Sequence, residues 1–323
     1  MRTVHAVSAS TIYNPAQQAV VALLGRPEEL PSFPAGLGDE LQQEMEHALA
    51  AVVERRGTAA SLWVSKHALA TVHGCEAHHV DAAARPFEWS PSAARGAVAH
   101  KAIELSVHWR GEAPPMDLVD EAIARLIDAD GVSLQRFLQG LSEGDRAELR
   151  GVAVDLVSRF QECFPPLKAA WIPVTESRAR VELLGGALVL SGKTDLSLGR
   201  AAGLQANKVI IDLKSGRPSI THREDLRFYA LVETVKLGVP PRQLASYYLE
   251  SGRAHPEEVT IALLRSAVRR TIDGVTKLVE LETGMREATR LGGPTCRWCP
   301  LSVDCPEGQA ELGREDDEAG SPW

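Results

Sequence analysis

The run NKVIIDLK, residues 207–214, sets three apolar residues, Val209, Ile210 and Ile211, ahead of a charged pair. It reads as a buried β-strand. Side chains alternate along a strand, so Asp212 and Lys214 share one face. A carboxylate there can hold a divalent cation. A lysine beside it can orient a water molecule or stabilise charge developing on a phosphate. Taken alone, the same Asp-x-Lys describes a strand-end salt bridge.

Upstream, residues 169–190 read as two strands around the Gly185-Gly186 turn, the second continuing to Asp195. An adjacent strand would set Asp195 beside Asp212. Two converging carboxylates repel unless a cation joins them, and hard oxygen ligands select magnesium or manganese. His100 lies on a helix expected over 91–109, with Pro91 in its first turn. As a third ligand it favours manganese, because imidazole is softer than carboxylate. A lone helical histidine is otherwise an ordinary packed or surface residue. The run LVLSGKTD (188–195) has Ala187 where a phosphate-binding P-loop needs glycine, and it leads into strand, so no ATP motor is expected.

Downstream, residues 221–236 read as an amphipathic helix carrying Asp225 and, one turn on, Tyr229. Arg223 and Arg227 lie near its start, where a phosphate strand could be gripped. A strand follows at 243–250, then a long helix over 262–290 that stops at Gly292-Gly293-Pro294. Towards the N-terminus, residues 38–56 read as a helix. Residues 60–82 read as a short strand, a Ser65 cap and a short helix running into Cys75, and 115–163 as helices broken near Gly131 and Gly140–Gly144. The order helix, three strands, helix, strand fits an α/β core with a helical insertion.

Apolar residues make up 44% and charged residues 24% of the 323, enough for a packed core. No uninterrupted apolar run approaches the roughly 18 residues of a membrane span. The start, MRTVHAVSASTIYNPAQQ, lacks a signal peptide's apolar region, so a cytoplasmic protein is expected. The net charge of −8 looks wrong for a nucleic-acid partner. However, residues 307–323 set Glu307, Glu311, Glu315, Asp316, Asp317 and Glu318 against a single Arg314, and read as a solvated, disordered tail. The body is only mildly acidic and leaves room for a clustered basic groove.

Five cysteines in a reducing compartment are thiols or metal ligands rather than disulfides. Cys296, Cys299 and Cys305 can surround one metal centre, and Cys75, far upstream, can complete it. Zinc and an iron–sulfur cluster both suit such ligands. Cys163, in an apolar setting, reads as a buried thiol.

Together these residues resemble the RecB-like branch of the PD-(D/E)XK nuclease superfamily in its iron–sulfur form, near the CRISPR-adaptation exonucleases and the AddB-type nuclease domain. The family's G-x-x-x-H corresponds to Gly96–His100 and its G-x-x-D to Gly192–Asp195. Its D/E-x-K corresponds to Asp212–Lys214 and its Q-x-x-x-Y to Asp225–Tyr229, with Asp225 in place of glutamine. Its one-plus-three cysteine pattern corresponds to Cys75, Cys296, Cys299 and Cys305.

The resemblance implies a restriction-endonuclease-like fold, a central mixed sheet flanked by helices. Its domain would span 61–306 with an insertion at 115–163, after a partly helical extension over 1–60. It implies a divalent-metal DNase, usually an exonuclease on single-stranded ends. His100, Asp195 and Asp212 would hold manganese or magnesium together with the Leu213 carbonyl, Lys214 would position the attacking water, and Tyr229, Arg223 and Arg227 would hold DNA. It implies a structural [4Fe–4S] cluster on the four cysteines, and a helicase or repair partner. The competing expectation is a non-catalytic adaptor that binds DNA ends.

Overall fold

A computed structural model of the chain describes residues 13–109, 111, 113–129, 132–219 and 221–320. Gly131, residues 1–12 and residues 321–323 therefore lie outside the described residues. In chain order the elements begin with helices α1 (Pro15–Leu24) and α2 (Leu37–Glu54), strand β1 (Leu62–Ser65), and helices α3 (Lys66–Gly74), α4 (Glu76–Ala83) and α5 (Pro91–His108). Then come α6 (Pro115–Asp128), α7 (Val132–Gly140), α8 (Glu143–Cys163), β2 (Val174–Leu183), β3 (Leu188–Leu198) and β4 (Val209–Lys214). The last are α9 (Thr221–Leu237), β5 (Gln243–Tyr248), β6 (Arg253–Glu258), α10 (Ile261–Glu282) and α11 (Pro306–Gly320).

The six strands form one mixed sheet in the order β1-β3-β4-β5-β6, with β2 on the other edge of β3. β2 runs antiparallel along nearly all of β3, from Val174 opposite Ser197 to Leu183 opposite Leu188. The opposite edge of β3 is divided. β1 pairs in parallel with residues 188–191, and β4 pairs antiparallel with residues 196–198. Residues 192–195 face the gap where β1 and β4 part, and Asp195 stands in it.

Two apolar cores enclose the sheet. One joins Leu41, Met45 and Leu49 of α2 to Leu188 and Leu190 of β3, Leu231 of α9 and Val275 of α10. The other joins Val98 and Ile103 of α5, Leu118 of α6 and Val157 of α8 to Ile211, Leu213 and Tyr247. The helices of 115–163 thus form a layer over the sheet. The segment expected as an extension supplies α2 to the first core and Val20 and Leu24 of α1 to the second. Helix α9, read as amphipathic, is buried at eight positions from Leu226 to Thr234, because it lies between the sheet and α2 and α10.

Two sequence expectations need correction, and one strand carries no sequence signal. The helix expected over 262–290 ends at Glu282, because Thr283 caps it and Gly284 turns left-handed (φ 71°), a conformation that favours glycine. The tail expected to be disordered carries α11. Pro306 opens that helix, and Cys305 accepts hydrogen bonds from Gln309 N–H through its carbonyl and from Gly308 N–H through Sγ. Strand β6 gives no apolar alternation in RAHPEE, and Pro256 is tolerated because β6 is an edge strand. Among the described residues no helix is long and apolar enough to cross a membrane.

Candidate active site and cysteine pocket

Two helix starts and two strands deliver the site. Ser90 caps α5 by accepting from Ala93 N–H, and Ser65 caps α3 by accepting from Ala68 N–H. The first fixes the helix that carries His100. The second sets Lys66 in the first turn of α3, directly after β1. Close approach requires glycine at one point: a Cβ on Gly192 would lie 2.4 Å from Tyr229 Cε1, whereas one on Gly96 would meet only the rotatable Ser215 Oγ at 2.9 Å.

His100 Nδ1 lies 3.4 Å from Asp195 Oδ1, and Asp195 Oδ2 accepts from Leu213 N–H at 2.7 Å. Thr175 pairs with Leu196 and Ser177 with Thr194, so Glu176 stands opposite Asp195. Glu176 has a left-handed backbone (φ 53°) and pairs with Lys193. One ligand atom each from His100, Glu176 and Asp195 lies within 4.8 Å of the others, the one such triad among the described residues. Burial disfavours the charge on His100, but Asp195 beside it raises its pKa. Burial likewise pushes the Asp195 carboxyl up, yet His100 and the Leu213 N–H hold it below its ordinary value.

Asp212, 1% exposed, stands outside that triad, between two lysines. Lys66 Nζ donates to Oδ1 at 3.2 Å, and Lys214 Nζ lies 2.7 Å from Oδ2. Oδ2 is buried without a well-aligned hydrogen bond, so the contact with Lys214 is one of charge. Asp225 Oδ2 lies 3.6 Å from both lysines. Burial raises the Asp225 carboxyl above its usual range against the pull of Lys66 and Lys214. Burial opposes the Lys66 charge, but Asp212, Tyr229, Asp225 and Asp195 together raise its pKa.

The structure thus brings His100, Asp195, Asp212, Leu213 and Lys214 to one gap in the sheet. Tyr229 is buried beneath Gly192, with Lys66 Nζ 4.9 Å from its ring centroid. Arg227 is taken up by Glu224 and Glu257, while Arg223 is exposed and lines a cleft with Tyr248 and His255. Sequence reasoning missed Lys66 and Glu176. Glu176 was reachable by counting back from the Gly185-Gly186 turn in hairpin register. Lys66 had no signal, because α3 must first fold against β1 and α9 to bring it to Asp212.

Cys75, Cys296, Cys299 and Cys305 line one small cavity with His78 and Arg290. Buried Glu76 ties its two walls together by accepting from Thr289 N–H and Oγ1–H and pairing with Arg286. Gly293 N–H and Gly308 N–H donate to the sulfurs of Cys296 and Cys305, each at 3.4 Å. Burial, then Cys75 and Cys296 nearby, pushes the Cys299 thiol up. Cys163 is buried elsewhere, against Gly252.

The profile of the PD-(D/E)XK nuclease superfamily matches residues 63–306, and the chain belongs to that superfamily. Among solved structures, the chain is similar to a "Putative exonuclease" from Eubacterium rectale. The identity is 12%, with 74% of this chain and 86% of that one covered and a TM-score of 0.43. It is also similar to SSO0001, at 15% identity, with 82% and 96% covered and a TM-score of 0.31. No curated protein matches the chain.

Proposed function

We propose that the protein is a divalent-metal-dependent deoxyribonuclease that trims single-stranded DNA or DNA ends as an exonuclease, in repair or recombination. The observation that carries this is the pairing of an imidazole and two carboxylates, within 4.8 Å of one another, with the Asp212–Lys214 couple at the same gap in the sheet. The donors suit manganese or magnesium: hard carboxylate oxygens, one imidazole, and a buried Asp212 oxygen that lacks an aligned hydrogen bond.

His100, Asp195 and Asp212 would hold the cation, with the Leu213 carbonyl and Glu176, the third member of the triad, as further ligands. Bound there, it supplies Lewis-acid polarisation of the phosphoryl oxygen and a more acidic water. Lys214, tethered by Asp212, orients the attacking water and donates to the phosphate oxygens as charge develops on them. Water oxygen bonds to phosphorus, the ester oxygen leaves and takes up the proton the water gives up, and a terminal nucleotide or short fragment is released from the shortened strand. Arg223, exposed at the start of α9, contacts the phosphate backbone.

The four cysteines are read as ligands of one structural [4Fe–4S] cluster. Tetrahedral zinc, with zinc–sulfur bonds of about 2.3 Å, draws its sulfurs to within about 4 Å of one another. The four sulfurs do not close up to that distance among the described residues, and the cluster reading rests on their lining one cavity. Backbone N–H donation to two of the sulfurs is what an anionic cluster calls for.

The test is an end-labelled single-stranded oligonucleotide with metal-stripped protein, with and without manganese. Cleavage should require the metal. Asp212→Ala and Lys214→Ala should each lower kcat by about 10²–10³, the loss seen when one charge-stabilising group is removed. Wild-type rates from Asp212→Ala, or an inert wild type with manganese, would overturn the reading.

A further inference from the structure

Beyond the metal triad, one face of the sheet corner formed by β1, β2 and β3 is left open. Trp63 stands opposite Val189 and Ser65 opposite Ser191. Arg178 stands opposite Lys193 and Arg180 opposite Ser191. Cross-strand partners share a face, so Trp63, Arg178, Arg180 and Lys193 all point to the same side. The opposite face carries Val64, Ala179, Val181, Leu188 and Leu190, all buried in the first core. The open side is a groove of about 700 Å³, lined by Trp63, Arg178, Arg180, Lys193, Lys66 and Asp195. It therefore runs without a break into the catalytic gap.

Trp63 is 56% exposed on a four-residue edge strand. A large indole in that position costs solvation and does nothing for the core. The Arg180 guanidinium lies 5.6 Å from its ring centroid, which holds the indole in place. Arg178 is exposed and has no acidic partner among the described residues, whereas Arg180 pairs with Glu182 and Lys193 with Glu176. Cations interleaved with an exposed aromatic ring make a surface for a polyanion whose bases have a free π-face. Duplex bases are stacked on both sides and offer no such face.

We infer that this groove is the track for the single-stranded part of the substrate, with an unpaired base stacked on Trp63 and phosphates on Arg178, Arg180 and Lys193. The inference rests on the nuclease reading for its substrate, but it is tested by binding rather than by cleavage. Asp195 lies six residues along β3 from the partner of Trp63, and at about 3.3 Å per residue the track is roughly 20 Å long. A strand at a stacked spacing of about 3.4 Å per nucleotide covers it with no more than about six nucleotides. Three nucleotides at that spacing reach about 10 Å, half of the track.

The experiment measures affinity by fluorescence anisotropy in EDTA for a labelled single-stranded dodecamer, a trinucleotide and a blunt duplex, with manganese-dependent cleavage assayed separately. Trp63→Ala should weaken dodecamer binding about tenfold, the scale of one lost base stack. Trp63→Tyr should stay within about threefold, since phenol also stacks. Arg178→Ala should lower the slope of log affinity against log salt by about 0.7, one phosphate contact on a single strand. The trinucleotide, which covers about half of the track, should bind the wild type more weakly than the dodecamer does.

Unchanged dodecamer binding by Trp63→Ala, a trinucleotide bound by the wild type as tightly as the dodecamer, or a loss confined to the duplex would each overturn the track. So would a wild type that fails to bind the dodecamer. A wild type that binds as described but does not cleave with manganese would leave the track standing and sink the nuclease reading.

Discussion

Lys66 Nζ lies 3.2 Å from Oδ1 of Asp212, on the opposite side of the carboxylate from Lys214, whose Nζ is 2.7 Å from Oδ2. The central acid of the Asp-x-Lys motif is thus clamped by two ammonium groups from different parts of the chain. Asp225 is the carboxylate both lysines share. The second lysine is thus matched by a second acid.

The clamp sets a cost on cation entry. A divalent ion and Lys66 compete for the same Asp212 carboxylate, and like charges a few ångströms apart repel by kcal/mol even at an effective dielectric of about 20. Lys66→Met should therefore bind manganese tighter, by at least about threefold. Titration calorimetry on metal-stripped protein checks this, and a weaker affinity in the variant would show that Lys66 supports the metal site instead.

Glu176 reaches the triad from the strand opposite Asp195. Glu176→Gln keeps the shape and removes the charge. Manganese affinity should fall about 10–100-fold, the range for groups that hold or orient metal ligands. Electron paramagnetic resonance of free manganese reads it directly, and an unchanged affinity would limit Glu176 to pairing with Lys193.

Acid should weaken the fold before the carboxylates titrate. Burial, with Lys214 nearby, lowers the His222 pKa from 6.5 to about 4, and burial with Arg270 nearby lowers His73. Both stay neutral in the folded protein while the unfolded imidazoles take up protons. Their stabilisation is complete above about pH 6.5 and, for His222, is lost as the pH falls towards about 4. The effect is at most about 1 kcal/mol per pH unit for half-buried groups. Urea midpoints at pH 7.5 and 5, in EDTA, should drop for the wild type and less for His222→Gln. Equal drops would remove His222 from the account.

The cysteines should separate cleanly. A centre joining Cys75 to the C-terminal three closes a loop of about 220 residues, worth about 5 kcal/mol if treated as a covalent staple. Cys75→Ala should give colourless, poorly soluble protein after anaerobic purification. Cys163→Ala should stay brown, and so should Asp212→Ala. Zinc at about one per chain, with no iron, would overturn the cluster identity and leave the staple.

Much of the site was legible before folding because its residues sit at short, local spacings. Alternation alone puts Asp212 and Lys214 on one strand face, and the cysteine spacing alone groups Cys296, Cys299 and Cys305. The strands around Gly185-Gly186, the capping of α3 by Ser65 and the helix bearing His100 also follow from local chemistry. The failures share one cause. Helix α9 was read as amphipathic because its polar residues, Glu233 and Thr234, look solvent-facing until Lys208 and the Ala230 carbonyl are seen to satisfy them. Glu176 could be counted from the hairpin turn, but Lys66 and Trp63 carry no motif. Their places come from register across β3 and from the parting of β1 and β4 on one edge of that strand. Those are pairings between residues more than a hundred positions apart for β1 and β3, which packing selects and no local spacing encodes.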